Sequence, residues 1–324
     1  MASNSTLPPI PSDIAFITGP AMVGICLNWG FMGVLVAQMY FYHLTFREDQ
    51  RAIRFLVYGL FLLDILQTCL VTADAFHWFV FGFGNMIQLN DTFLNSWDVP
   101  FLDAIIATIV QTFYCWRIWI LSKSLVFPVL IFLVSLTQCG AGIATAVKAF
   151  QGGELSLISV EEVAQQTTWL AAAVAADLLI TIVMSYTLLR TRSRTLTAKS
   201  TIDRIVRVTV ETNMLTAGVA VIALGLYLGF PDHSTLVVPP TAIIGKLYSN
   251  CLVAVLNGRR LQSPKSASSP SYGSSANTHS FRLPTNSQTG GIRVEVLHQT
   301  EMDHEMLDMP KSSGTKHPDG ILPV

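Results

Sequence analysis

Seven stretches of this chain are each long and apolar enough to cross a bilayer as a helix, and no other feature restricts the fold as tightly. They are Ile17–Phe41, Phe55–Phe79, Pro100–Leu121, Leu125–Lys148, Thr167–Leu189, Val208–Leu228 and Leu236–Leu256. About 20 apolar residues in a helix cover the hydrocarbon core. Lipid offers no hydrogen-bond partner to a bare amide, so runs of this kind must be helical. Composition points the same way, with 51% hydrophobic and 13% charged residues, where an ordinary globular chain carries about 25% charged. The apolar runs stop at residue 256. The expected fold is therefore all-α, a polytopic membrane protein built as a seven-transmembrane-helix bundle. Residues 1–16 form a short extracellular N-terminus, 17–256 the transmembrane domain, and 257–324 a polar, disordered cytoplasmic tail rich in Ser, Pro and Gly.

Basic residues set the expected orientation. Arg47, Arg51 and Arg54 lie in the first loop, and Lys123 lies in the third with Arg117 just before it. Arg190, Arg192, Arg194, Lys199, Arg204 and Arg207 lie in the fifth, and Arg259 and Arg260 follow the last run. The N-terminus and the loops 80–99 and 231–235 have no Lys or Arg, and the remaining loop has only Lys148 at its edge. The alternation predicts N-terminus outside and C-terminus inside. Two glycosylation acceptors, Asn4 and Asn90, fall on the predicted outer side. The first 16 residues lack the basic start of a cleaved signal peptide, so the first run is expected to remain as a span. All five cysteines lie within predicted spans and read as small buried hydrophobes. Pro128 and the pair Pro239-Pro240 read as ordinary kinks with neighbours to compensate.

A charge at mid-membrane costs roughly 2.5–3.5 kcal/mol on insertion scales, so such groups turn inward and find partners. Near mid-depth are Asn28, Asp64, Gln111, Asp177 and Lys246. Toward the outer end are Asp74, His77 and Asp103, and toward the inner end Arg117, Glu211 and Asn250. Asp64, Gln67, Val71 and Asp74 share a helical stripe, and Lys246 and Asn250 stack as i and i+4. Lys246 is expected to pair with Asp64 or Asp177, either to fix helix packing or to form a ligand, ion or proton site. Arg117 and Glu211 are a candidate latch at the inner ends of the third and sixth spans. The competing reading has both snorkelling to the headgroups.

A retinal Schiff base on Lys246, with Trp116 and Trp169 in an aromatic box, is disfavoured: microbial rhodopsins carry Asp four residues before that lysine, and Ala242 stands there. No cofactor and no metal are expected. P-loop, dinucleotide, zinc and nucleophile-elbow motifs are absent, so no enzyme is expected either. A net charge of -1 gives no reason to expect a nucleic-acid partner.

Several segments, in order, resemble the fungal domain-of-unknown-function 6534 family, seven-helix membrane proteins of basidiomycetes. They include LNWG (Leu27–Gly30), LVYGLFLLDILQT (Leu56–Thr68), QTFYCWRIWILS (Gln111–Ser122), SLTQCGAGI (Ser135–Ile143), ETNMLTA (Glu211–Ala217) and KLYSNCLVAVLNGRR (Lys246–Arg260). The likeness runs over about residues 17–260, with Asn213 where similar proteins often have Gly. It implies that Lys246, Tyr248, Ser249 and Asn250 belong to a recurring segment.

The leading expectation is a receptor-like sensor in the plasma membrane or another secretory-pathway membrane. A small ligand would enter an outward cavity lined by Asp74, Asp103 and seventh-helix residues. A cytoplasmic signalling partner would meet the basic fifth loop and the tail, where Ser263 and Ser269 precede prolines. The alternative is a proton- or ion-coupled transporter with Asp64, Asp177 and Lys246 as its relay.

Overall fold

A computed structural model describes residues 14–85, 88, 93–152, 163–191, 199–230 and 235–259, with side chains described except at 17, 95, 96, 152 and 188–206. The chain divides into two units, residues 1–267 and 268–324, and every described residue lies in the first. The expected tail beyond residue 259, with Ser263 and Ser269, lies outside the described residues. So do both glycosylation acceptors, Asn4 and Asn90.

The described residues are helical, in seven rods: α1 (Ile14–Thr45), α2 (Arg51–Ala75), α3 (Asn95–Ser122), α4 (Val126–Gly152), α5 (Val163–Thr191), α6 (Lys199–Gly229) and α7 (Val238–Asn257). All seven are long and apolar enough to cross a membrane. Most run past the apolar runs that announce them, because a helix already hydrogen-bonded in lipid continues into the headgroup zone at little cost. Thus α3 starts at Asn95 rather than Pro100, which brings Asp98 into its first turn. At its C-terminal end α2 widens into one π-type turn, Phe76–Phe81, where the Gly82 amide reaches back to the His77 carbonyl at 2.9 Å.

The prolines correct one expectation. Pro128, Pro239 and Pro240 stand in the first turns of α4 and α7. There the missing N–H has no intrahelical partner to lose, so no kink follows. Pro20 and Pro100 are the prolines inside helices.

The bundle is inverted relative to a soluble protein. Leu62, Leu133, Ile182 and Ile222 are more than half exposed on its outer face. Asn28, Asp64, Gln67, Asp103, Gln111, Asp177 and Lys246 are buried within. Apolar outside and polar inside is the arrangement that lipid as solvent selects. The cysteines divide accordingly: Cys115 and Cys251 are buried, Cys139 is half-buried, and Cys26 and Cys69 are exposed on the apolar outer face. The last two are therefore not the buried hydrophobes expected of them.

The first and last helices are parallel neighbours. Thr235 donates to the Phe16 carbonyl, Asn250 to that of Phe31 and Asn257 to that of Gln38, at 2.8, 3.2 and 3.0 Å. All three bonds join residues 219 apart, so the two helices climb together in a constant register. The start of α1 and the end of α7 consequently lie at opposite ends of the bundle, as an odd number of crossings demands.

Between the two, α7 is the enclosed rod: 78% of its apolar window is buried, against 22% for α1. Elsewhere small residues set the spacing. A Cβ at Gly142 of α4 would lie 2.8 Å from the Ala104 Cβ and 3.2 Å from the Trp169 indole. We predict that Gly142→Ala lowers stability by about 1–3 kcal/mol, the usual cost of overpacking. Ala104→Gly in the same chain should recover part of it. Unfolding midpoints in detergent test both; an unchanged midpoint for Gly142→Ala would refute the close approach.

Candidate functional site: a polar column along helix seven

Lys246 opens onto α2. Its ammonium lies 3.1 Å from Asp64 Oδ1 and donates to the Asp64 carbonyl at 2.5 Å, with both side chains fully buried. Of the two carboxylates expected to compete for it, Asp64 has the contact. Asp103 lies within electrostatic reach of the same ammonium and takes a 2.6 Å hydrogen bond from Gln67 Nε2. It is seated on the backbone of α7: a Cβ at Gly245 would collide with Asp103 Oδ1. Glycine is required there for close approach rather than for its backbone freedom. Around this pair, Asn28 donates to the Ala242 carbonyl at 2.8 Å, and Thr68 donates to the Asp64 carbonyl at 2.8 Å. Asn250 donates to the Lys246 carbonyl at 2.7 Å.

Asp177 belongs to a second node, on another face of α7. Its Oδ2 accepts from the hydroxyls of Thr216 at 2.5 Å and Tyr248 at 3.0 Å. Gln111 Nε2 reaches Asp177 Oδ1 at 3.4 Å and Gln138 Oε1 at 2.8 Å. This node ties α3, α4, α5, α6 and α7 together. Gln138 and Thr216 were not singled out from sequence, because an uncharged polar residue in a span is common and its spacing says little without the neighbouring helix.

The acids expected near the outer end are closed in. Asp74 and Asp103 are buried, with relative exposures of 0% and 1%, and Asp74 Oδ1 accepts the Leu94 amide at 3.0 Å. They do not line the open outward cavity expected of them, since each is already packed against its own partner. Asp98, buried in the first turn of α3 and within electrostatic reach of Asp74 and Asp103, joins this group. A helix N-terminus favours an acid there, although Asp98 precedes the apolar run and so lies outside the span that hydropathy predicts. His77 stacks face to face on Phe93, centroids 4.0 Å apart.

At the other end the candidate latch is not formed. Arg117 donates to the Thr209 hydroxyl at 3.1 Å, and Glu211, two residues on along α6, is exposed. Two residues turn a helix through slightly more than a half circle, so the side chain that meets Thr209 does not meet Glu211. The clasp at this end of the bundle is elsewhere. Arg259, just past α7, pairs with Asp49 in the α1–α2 loop, at 2.5 Å, and its guanidinium lies 4.8 Å over the Phe46 ring. Tyr42 adds a hydrogen bond to Asp49 at 3.0 Å. Burial opposes ionisation of Asp49, but the hydrogen bonds from Arg259 and Tyr42 and the Arg259 charge outweigh it and hold its carboxyl below the usual range. Of the aromatic-box candidates, Trp116 is exposed on the outside of α3 and Trp169 packs against Gly142. Among the described residues no group of three or more His, Cys, Asp or Glu could hold a metal ion.

With the geometry in hand, comparison with known proteins adds one match. Residues 173–261 match the model of DUF6534, a family of unknown function. The matched segment runs from within α5 to just past α7, so it takes in Asp177, Thr216, Lys246, Tyr248, Asn250 and Arg259. The resemblance traced over residues 17–260 is thus supported over its C-terminal part. No curated protein and no solved structure matches.

Two predictions follow from the charges. Lys246 faces two carboxylates, whereas Asp64 and Asp103 share one ammonium. Lys246→Met should therefore cost about 3–5 kcal/mol, the usual cost of stranding a buried charge, and more than Asp64→Asn. Adding Asp64→Asn to Lys246→Met should restore stability relative to Lys246→Met alone, as read from unfolding midpoints; additive losses would show that the pair is not coupled.

For Asp49 the sign is that of a depressed carboxylate. Its stabilisation is present above pH 3.8, the ordinary Asp value, and is lost as pH falls through the lower folded value. The melting-temperature gap between the native protein and Asp49→Asn should be constant near neutrality and close below that range. A gap independent of pH would refute the clasp.

Proposed function

We propose that this multi-pass membrane protein is a receptor-like sensor in which α7 carries a change at the buried outer half of the bundle to the Asp49–Arg259 clasp. The observation that supports this reading is the division of labour along α7. Within a few turns Lys246 holds α2, Gly245 seats α3, Tyr248 holds α5, and Asn250 and Asn257 hold α1. A rod bonded to most of its neighbours cannot shift at one point without loading the others. A small polar ligand able to replace Lys246 or Gln67 at a carboxylate would have that leverage. On this reading the N-terminus faces outward, the basic loop between α5 and α6 and the tail face a cytoplasmic partner, and the protein catalyses no reaction. It would sit in the plasma membrane or another secretory-pathway membrane of a fungal cell.

The second reading, a proton-coupled carrier, draws on one observation: Asp177 is held by two hydroxyls, Thr216 and Tyr248, which can relay as well as donate.

Reconstituted vesicles carrying a pH gradient separate the two. The sensor is expected to bind a small molecule from a metabolite panel, read as a thermal shift abolished by Lys246→Met, with no solute or proton flux. Flux that Asp177→Asn abolishes would overturn the sensor in favour of the carrier.

A further inference from the structure

Helices α2 and α3 are drawn together in one half of the bundle and stand apart in the other. Where they meet, Gln67 bonds Asp103. Beyond that contact a cavity of about 720 Å³ opens between them, running from Leu63 and Thr108 past Gly59 and Thr112 to Gln50 and Trp116. Its walls are almost wholly apolar. The hydroxyls of Thr108 and Thr112 are both turned back onto carbonyls of their own helix, at 2.7 Å each, and present no polar group to an occupant. There is room beside Gly59: a Cβ there would meet nothing within 4 Å. The cavity lies along helices long and apolar enough to cross a membrane, so in a bilayer lipid would adjoin it.

Its mouth is basic. The α1–α2 loop and first turn of α2 carry Arg47, Arg51 and Arg54, against Glu48 and Asp49. Asp49 is already neutralised by Arg259, which leaves three arginines against one glutamate. The first turn of α2 contains no acid, and its N-cap, Gln50, makes no side-chain cap. Asp49 Oδ1 also accepts the Gln50 amide at 3.0 Å, and Arg54 donates to the Arg47 carbonyl at 3.1 Å, so Arg47 and Arg51 are the arginines left to meet an anion at this end of the helix.

We propose that the groove holds one acyl chain of an anionic phospholipid, whose phosphate sits at the Arg47–Arg51 mouth. The chain fills the apolar groove beside Gly59, and the headgroup balances the excess of arginine around the start of α2. This does not depend on whether the protein is a sensor or a carrier.

The test is native mass spectrometry of the full-length protein extracted from nanodiscs made of equal parts phosphatidylserine and phosphatidylcholine with identical acyl chains. The expected result is one retained phospholipid, with phosphatidylserine favoured at least about tenfold, in keeping with the attraction of each arginine for an anionic leaflet. Gly59→Phe should plug the groove and abolish retention of both lipids without lowering the melting temperature. Should Gly59→Phe fail to fold, Thr112→Trp, an exposed position on the opposite wall, serves the same purpose. Arg47→Glu with Arg51→Glu should keep a lipid but lose the headgroup preference. Equal retention of the two lipids, retention undiminished by the plugging variants, no retained lipid, or a second copy of the chain occupying α2 would each overturn the proposal.

Discussion

A lysine in the middle of a bilayer must have a counter-charge within reach, and the arrangement of this bundle follows from meeting that demand. The Lys246 ammonium is fully buried and 3.1 Å from Asp64. To bring the pair together, α2 must turn its polar stripe inward and α7 must sit at the centre. Once α7 is central, its other faces need partners too. Tyr248 finds Asp177, Asn250 and Asn257 find backbone carbonyls of α1, and Gly245 admits the carboxylate of Asp103. The hydrophobic effect drives helices into lipid but gives no force between them once there. The polar bonds and the small-residue contacts supply the specificity that a soluble core would gain from burying oil.

The same constraint explains an asymmetry in α2. Its inward contacts are largely polar and lie in the half that contains Asp64, Gln67 and Asp74, all buried. In the other half, Phe55 and Gly59 offer α3 no polar group to hold, and the two helices part. A gap between helices in water would collapse or fill with water. In a membrane it can be filled by an acyl chain at little cost, so tight packing is not enforced there.

The two ends of the bundle are closed by different means. At one end three acids, Asp74, Asp98 and Asp103, lie within electrostatic reach of one another or of a common neighbour, and Asp74 is bonded to the amide of Leu94. At the other, Arg259 and Asp49 join the end of α7 to the α1–α2 loop in a partly buried pair. The first is a buried concentration of negative charge and the second a charge-compensated clasp, so changes in the two carry different energies. The parallel register of α1 and α7 connects them mechanically.

Hydropathy and period alone determine that there are seven spans, that their charged and amide side chains turn inward, and which faces of α2 and α7 point inward. Lipid as solvent leaves no alternative to helices, and a helical repeat places Asp64, Gln67, Val71 and Asp74 on one side whatever they meet. Which groups meet was decided only by tertiary structure. Depth-matching left Asp64 and Asp177 equal candidates for Lys246, because depth does not say which helix lies opposite. It allows Arg117 and Glu211 either to latch together or both to snorkel to the headgroups, where the rotation of α6 presents Thr209 to Arg117 and leaves Glu211 exposed. It passed over Asp98, whose helix begins before the apolar run does, and Gln138 and Thr216, which gain meaning only beside Asp177. The order of helices around the bundle and their rotation about their own axes are set by side-chain packing between segments far apart in the chain, and no local pattern encodes them.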